Sequence, residues 1–476
     1  MGIPYRGSGK VEFSAKEYKC ALYYSEDLGK VVINIFNETD SGVSDFLELP
    51  LEIPELSGRL ESGYKFTLIN LTRDGMNDNL SSRITTFTYC AEYMVSGINN
   101  VSNGIITFST VGFVLSDIID WGGKSIYYVG DNYELRHKES NVIEDIYVGE
   151  KYTLRYKVVG SFLPCAEAEL LKETIELKQN GIIELEFADE QGLKNIIPVF
   201  NSFKRLIEIS VLSKVNIEKM YAYSKKVTDT YGNKAYERQI DIYGNNIKLD
   251  DQIARPYKYN WITLSELVEN KSIELFMAKQ ERLEPIIELF TELFYLKDSS
   301  ITRVFLNVVQ ALETYHSRFI TNDLGVFKNR VDSLVKQSAP ANQQFIKTFL
   351  MANSKKFITL ESRLADLLYA EGKTFFDTGD IKLEDFPSVV AHTRNYYIHY
   401  DEEIKKKHRV FSPDELEIYN AVLFKTLEYY IFIELGFSVQ AIHKKHMTRW
   451  RNVSRDLQII KKSKDIENKA RQEKTK

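Results

Sequence analysis

Apolar residues recur at every second position through roughly the first 190 residues and at helical spacing beyond about residue 272. One packing layer cannot serve both periods, so the chain must fold as a β-rich part followed by an all-helical part. In "KYTLRYKVV", Tyr152, Leu154, Tyr156 and Val158 share one face, and Thr153, Arg155 and Lys157 share the other. "YKFTL" at Tyr64–Leu68 and "IELEF" at Ile183–Phe187 repeat the alternation, with "VVINIF" and "IITFSTVGFVL" as more buried strands. The turn signals "DSG", "RDG", "GDN" and "NG" punctuate them at short intervals, which predicts an antiparallel sandwich or barrel.

The pattern becomes mixed between about 193 and 265. Pro198 reads as the opening of a helix that buries Val199, Phe203, Leu206 and Ile207, and Val215, Ile217 and Tyr221 read as a strand. "ARPYKYNW" then approaches a linker. In the second half, Leu283, Ile286, Ile287, Phe290, Leu293 and Phe294 form one helical stripe, and Val304, Val308, Leu312, Tyr315 and Phe319 the next. Further helices are predicted near 342–352, 357–372 and 387–400. Ser412 as N-cap, Pro413 at the first helical position and Glu415 three after the cap begin a last long helix that runs to Gly436.

A length of 476 residues exceeds what one core holds. We expect a β-rich domain over 1–268, a helical bundle over 272–445, and a basic, disordered tail over 446–476. Residues 442–476 carry twelve Lys/Arg against four Asp/Glu in a chain whose net charge is −5, so the body is acidic and the C-terminal end suits an anionic partner. Cys20, Cys90 and Cys165 are far apart and form no CxxC pair, which argues against a zinc site or a disulfide framework and fits a reducing cytoplasm. The start "MGIPYRGSGK" has no apolar signal core, and no apolar run reaches the length of a membrane span. No metal or cofactor is expected.

"RNYYIHYD" carries the candidate chemistry. Pro387 starts a helix whose inward stripe is Val389, Val390, Thr393 and Tyr397, so Arg394 and His399 fall near its end. Five residues turn an ideal helix through 500°, leaving the two side chains about 140° apart, whereas Asn395 and His399 share a face better. Spacing alone is weak. Local physics alone favours a plain surface helix end; the chemistry such residues could do is metal-free RNA cleavage, with a base for the ribose 2′-hydroxyl, an acid for the leaving 5′-oxygen, and a cation for the charged transition state. Histidine suits the proton transfers near neutral pH and arginine grips phosphate in a planar fork.

"HTRNYYIHYD", with "LEDFPSVV" before it, the helix "VVQALETYHSRF" and the capped helix ending "YYIFIELGFS", resembles the HEPN superfamily, specifically the HEPN domain of ApeA-like anti-phage defence proteins. The resemblance spans about 275–443, and the β-rich front half also looks like the domain that precedes HEPN in those proteins. It implies an α+β multidomain protein in which an N-terminal sensing domain controls a HEPN bundle. It implies a metal-independent endoribonuclease with Arg394, Asn395 and His399 as its motif, built as a homodimer or higher oligomer that brings two motifs together. Cleavage of host RNA, with transfer RNA as a target, to 2′,3′-cyclic phosphate and 5′-hydroxyl ends follows, released by a phage-derived trigger. Toxin-type relatives carry a tyrosine two positions after the histidine. Here that position is Asp401, and Tyr400 is adjacent, so regulation by modification of that tyrosine is not supported, and Tyr400 is held as a supporting residue.

Glu313 and His316 lie three apart on one helix face and either line the same cleft, Glu313 orienting His399 or Arg394, or form a buried or surface pair without function. "HKKH" at His443–His446 reads as a basic helix rather than a metal pair. "GGKS" at Gly122–Ser125 imitates the end of a phosphate-binding loop, but Ile118 replaces its first glycine, so it reads as a turn between strands. The competing function is a non-catalytic protein whose bundle dimerises and whose β domain binds a ligand. The RNA cut, the trigger and the oligomer size are not legible in the sequence.

Overall fold

The computed structural model describes residues 6–25, 30–38, 49–79, 84–98, 106–138, 141–160, 173, 177–231, 234–244, 261–295, 300–320, 325–352, 359–369, 379, 381–450, 455 and 457. Cys165, the "DSG" turn, most of "ARPYKYNW" and nearly all of the basic tail lie outside them. The chain divides into two compact units, Met1–Val211 with Val215–Ser265, and Leu212–Lys214 with Glu266–Lys476.

The first unit opens with β1 (Gly7–Phe13), β2 (Lys16–Ser25), β3 (Lys30–Glu38), β4 (Glu52–Leu60), β5 (Lys65–Asn79) and β6 (Ile84–Ser96). They run β6-β3-β2-β1-β4-β5, and β5 pairs back to β6, closing an antiparallel barrel of six strands. Alternation points Cys20, Leu22, Val31, Ile33, Ile35, Phe66, Leu68, Phe87 and Tyr89 into its interior. Gly58 allows the β1–β4 seam to close: a Cβ there would lie 2.5 Å from the Phe66 ring and 2.7 Å from the Lys10 carbonyl. Cys20 and Cys90 are free thiols, and burial pushes the Cys20 pKa up to about 12, which makes it an inert core residue.

β6 also begins a second antiparallel run. The next elements are β7 (Phe108–Leu115), a short helix α1 (Ile118–Gly122), β8 (Tyr127–Val129), β9 (Leu135–His137), β10 (Val142–Val148), β11 (Tyr152–Gly160) and β12 (Gln179–Gln191). They are followed by α2 (Leu193–Val211), β13 (Ile217–Tyr223), β14 (Thr228–Tyr231), β15 (Lys234–Glu237) and β16 (Ile240–Gly244). The order β10-β11-β12-β7-β13-β16-β6 makes one continuous sheet with the barrel, while β14–β15 and β8–β9 stand as separate hairpins. Helix α2 lays Phe200 on Phe113, ring centroids 3.5 Å apart, to cover this sheet.

Two sequence expectations change here. Pro198 lies inside α2 rather than opening it, because the helix begins at Leu193 and a proline near the first turn forfeits few backbone bonds. "GGKS" is a helix end and not a turn between strands: Gly122 closes α1, Gly123 caps it at φ 63°, Lys124 pairs with Glu144 and Ser125 donates to Gln179 Oε1 at 3.0 Å.

The second unit contains α3 (Leu264–Glu269, crossing the boundary), α4 (Ser272–Ala278), α5 (Gln280–Tyr295), α6 (Ile301–Phe319), α7 (Gly325–Gln337) and α8 (Pro340–Ala352). It continues with α9 (Leu360–Tyr369), α10 (Phe386–His399), α11 (Glu402–Lys407), α12 (Pro413–Glu434) and α13 (Val439–Arg449). The Leu283/Ile286/Ile287/Phe290 stripe of α5 and the Phe305/Val308/Leu312/Tyr315 stripe of α6 are buried. Ser412 and Glu415 form the expected reciprocal cap at the start of α12, with hydrogen bonds of 3.2 and 3.0 Å. Helices α3, α4, α7 and α11 were not anticipated.

Helix α13 is docked through charge. Glu428 of α12, buried, accepts from Trp450 Nε1 at 2.9 Å and lies 2.9 Å from Arg449 and 3.6 Å from His446. Burial lowers the His446 pKa from its ordinary 6.5, against the opposing pull of Glu428. The unfolded chain therefore binds more protons just below that value, so the stability contributed by neutral His446 is present above pH 6.5 and is lost as pH falls through the lower folded value. Melting temperature is expected to fall between about pH 7.5 and about pH 5.5, and His446→Gln should flatten that dependence. An identical slope in the variant would show that His446 carries none of it.

Candidate active site

Helix α10 begins at Phe386 with Pro387 in its first turn, and Phe386, Val389, Val390, Ala391 and Thr393 are buried. Past Thr393 the helix leaves the core: Arg394 to Tyr397 are half-buried, and Ile398, His399 and Tyr400 are exposed. The segment that returns after α11 is sewn to its inward stripe. Thr393 Oγ1 donates to the Val389 carbonyl at 2.7 Å and accepts from the Phe411 amide at 3.0 Å. Tyr397, one turn on, donates to the Phe411 carbonyl at 3.0 Å. Phe411 itself stacks on Tyr419 at 4.4 Å and meets Phe305 and Phe386 at 6.3 and 6.0 Å, which joins α6, α10 and α12 at one point.

No break separates Arg394 from His399. The helix continues to His399 and ends at Tyr400, whose φ of 51° is left-handed, and Asp401 caps α11 by accepting from the Glu403 amide at 2.9 Å. Asp401 thus has a structural role of its own. An unbroken helix keeps the offset of about 140° between Arg394 and His399, with Asn395 pointing outward between them. Arg394 Nη1 donates to Asn395 Oδ1 at 3.2 Å, and no described residue hydrogen-bonds the His399 ring. The three side chains therefore fan over the solvent-facing arc of one helix end, available to a ligand or a second surface.

Glu313 and His316 are placed elsewhere. His316 is buried, with Nε2 2.8 Å from Asp366 Oδ2 of α9, and the Glu313 carbonyl accepts from Arg363 at 3.3 Å. Neither residue bonds Arg394 or His399, because α6 turns His316 into its contact with α9, where a carboxylate satisfies it.

Sequence reasoning missed a histidine pair beside the motif. The rings of His392 and His408 stack at 3.8 Å with planes 20° apart. Burial first, then the nearness of His408, lowers the His392 pKa, while Glu361 acts in the opposite direction. The available signal was the i, i+7 spacing of His392 and His399, which puts both on one helix face; His408 comes from a different segment and could not be found that way.

A family model described as ApeA N-terminal domain 1 matches residues 6–276, more than half of the chain, and one described as Apea-like HEPN matches residues 306–441. The chain belongs to the ApeA-like HEPN family. No curated protein and no solved structure matches it. The HEPN match takes in α10 whole, and with it Arg394, Asn395, His399 and the His392–His408 stack. The ApeA N-terminal domain takes in the barrel and the sheet that extends it. Membership suggests an anti-phage effector, and its HEPN domain suggests a nuclease family. Among the described residues no helix is long and apolar enough to cross a membrane.

Proposed function

We propose that this protein is an anti-phage effector whose HEPN domain cleaves host RNA without a metal, under the control of its N-terminal domain. The observation that carries the reading is the outward fan of Arg394, Asn395 and His399 on an unbroken helix end. Side chains about 140° apart on one helix reach a single phosphate poorly. Two copies with these arcs opposed would place a guanidinium and an imidazole from each on the same phosphodiester.

In that arrangement one His399 takes the proton of the ribose 2′-hydroxyl as its oxygen attacks the adjacent phosphorus. The bond from phosphorus to the 5′-oxygen breaks, and His399 of the second copy gives that oxygen a proton. Arg394 holds the charge gathered on the phosphoryl oxygens, with Asn395 fixing the guanidinium plane. The products are a 2′,3′-cyclic phosphate and a 5′-hydroxyl. Anticodon loops of transfer RNA suit such a site because their unstacked bases are accessible.

The test is to incubate wild-type protein with total bacterial RNA in EDTA, with and without extract of phage-infected cells, and to sequence the new ends. Discrete cuts with 5′-hydroxyl ends are expected. Ends carrying 5′-phosphate, or cleavage abolished by the chelator, would overturn the chemistry. No cleavage with or without the extract would favour a non-catalytic binding protein.

A further inference from the structure

The face of α10 that carries His399 also carries His392 two turns earlier, about 10 Å along the axis, and Tyr396 between them. The segment after α10 lays one cation and one flat ring on this face. Lys405 lies 5.5 Å over the Tyr396 ring, while the Tyr396 hydroxyl is held by Glu402 at 3.1 Å. Lys406 and Lys407 follow, each in an exposed pair with Glu403, of a kind that competes weakly with other anions. His408 then stacks on His392 in near-parallel register.

The two rings of that stack are not equivalent. His392 is half-buried, and His408 is exposed. The His408 amide bonds to the Ile404 carbonyl at 2.9 Å as the cap of α11, which fixes the backbone that carries the ring. A supported ring with exposed surface beside a run of lysines is what proteins use to hold single-stranded nucleic acid, because every base has a face to stack and every nucleotide a phosphate to pair.

We propose that His408, backed by His392, is a stacking platform for one unpaired RNA base next to the scissile phosphate, with Lys405, Lys406 and Lys407 on the adjoining phosphates. This rests on the ribonuclease reading and adds to it a positioning subsite on the same helix face as His399. It gives the domain a preference for single-stranded or looped RNA over duplex, whose bases are unavailable for stacking.

The experiment uses full-length protein carrying His399→Ala, so that bound RNA stays intact. It measures anisotropy of a short fluorescein-labelled single-stranded RNA and of the same RNA made abasic at each position in turn. Adding His408→Ala should weaken binding of the intact RNA by about tenfold, and adding His408→Phe should leave it near the parent value, because a flat ring still stacks there. One abasic position should cost the parent a similar factor and cost the His408→Ala protein nothing.

Equal binding by the parent and His408→Ala, or equal loss with alanine and phenylalanine in proteins of unchanged melting temperature, would overturn the platform while leaving the nuclease reading standing. Failure of the parent to bind any RNA, beside wild-type protein that also cuts none, would overturn both.

Discussion

His399→Ala is expected to lower the RNA cleavage rate by about 10²- to 10⁴-fold, the range a positioned general acid or base supplies. Arg394→Ala should cost about 10²- to 10³-fold by leaving the phosphoryl charge without its donor. Neither change should unfold the protein. Among the described residues, exposed His399 has no hydrogen-bond partner, and half-buried Arg394 donates to its neighbour Asn395. Substitutions at such places move stability by only about 0.5 kcal/mol. The measurement is cleavage rate beside melting temperature, and growth of bacteria expressing each variant. A His399→Ala protein that still cuts RNA at the wild-type rate would show that the proton transfers belong to another residue, and loss of activity accompanied by unfolding would show that the helix end is structural.

The second large effect is on stability. Phe411 is 1% exposed and touches the rings of Phe305, Phe386 and Tyr419, while its backbone amide and carbonyl are both held by α10 through Thr393 and Tyr397. Phe411→Ala should cost about 3–5 kcal/mol, the transfer of the ring plus the cavity it leaves. For a unit of this size that corresponds to a fall in melting temperature of roughly 10 °C. Because the same residue fixes the segment carrying His408 against the helix carrying His399, activity should decline well below the new melting temperature. Guanidinium denaturation with intrinsic fluorescence checks the first part, and cleavage rate against temperature the second. A variant with wild-type stability would mean that the aromatic cluster closes over the missing ring.

Much of the architecture was legible because it is local. The alternation in "KYTLRYKVV" became β11 and the helical stripe from Leu283 to Phe294 became α5, since each pattern records one face turned to a core. Ser412, Pro413 and Glu415 announced the start of α12 because a capping box is completed within four residues. The short strands β14 to β16 were not seen: β14 and β15 hold few apolar residues and form a hairpin of only four residues a side, and β16 is decided by distant partners, since it joins β13 to β6. Pro198 misled because a proline near a helix start is tolerated at more than one position.

At the candidate site the division is sharper. Sequence by itself determined that the chain is β-rich and then helical, that a proline-started helix carries Arg394, Asn395 and His399 toward its end, and that Arg394 and His399 lie about 140° apart if that helix is regular. All of these are consequences of backbone period and neighbouring residues. Only the tertiary structure decided that β3 pairs with β6 and β1 with β4 to close a barrel, that His316 is spent on Asp366, and that His408 lies against His392. Those contacts join segments separated by loops and turns, and their partners are chosen by the burial of whole elements, which no local pattern encodes.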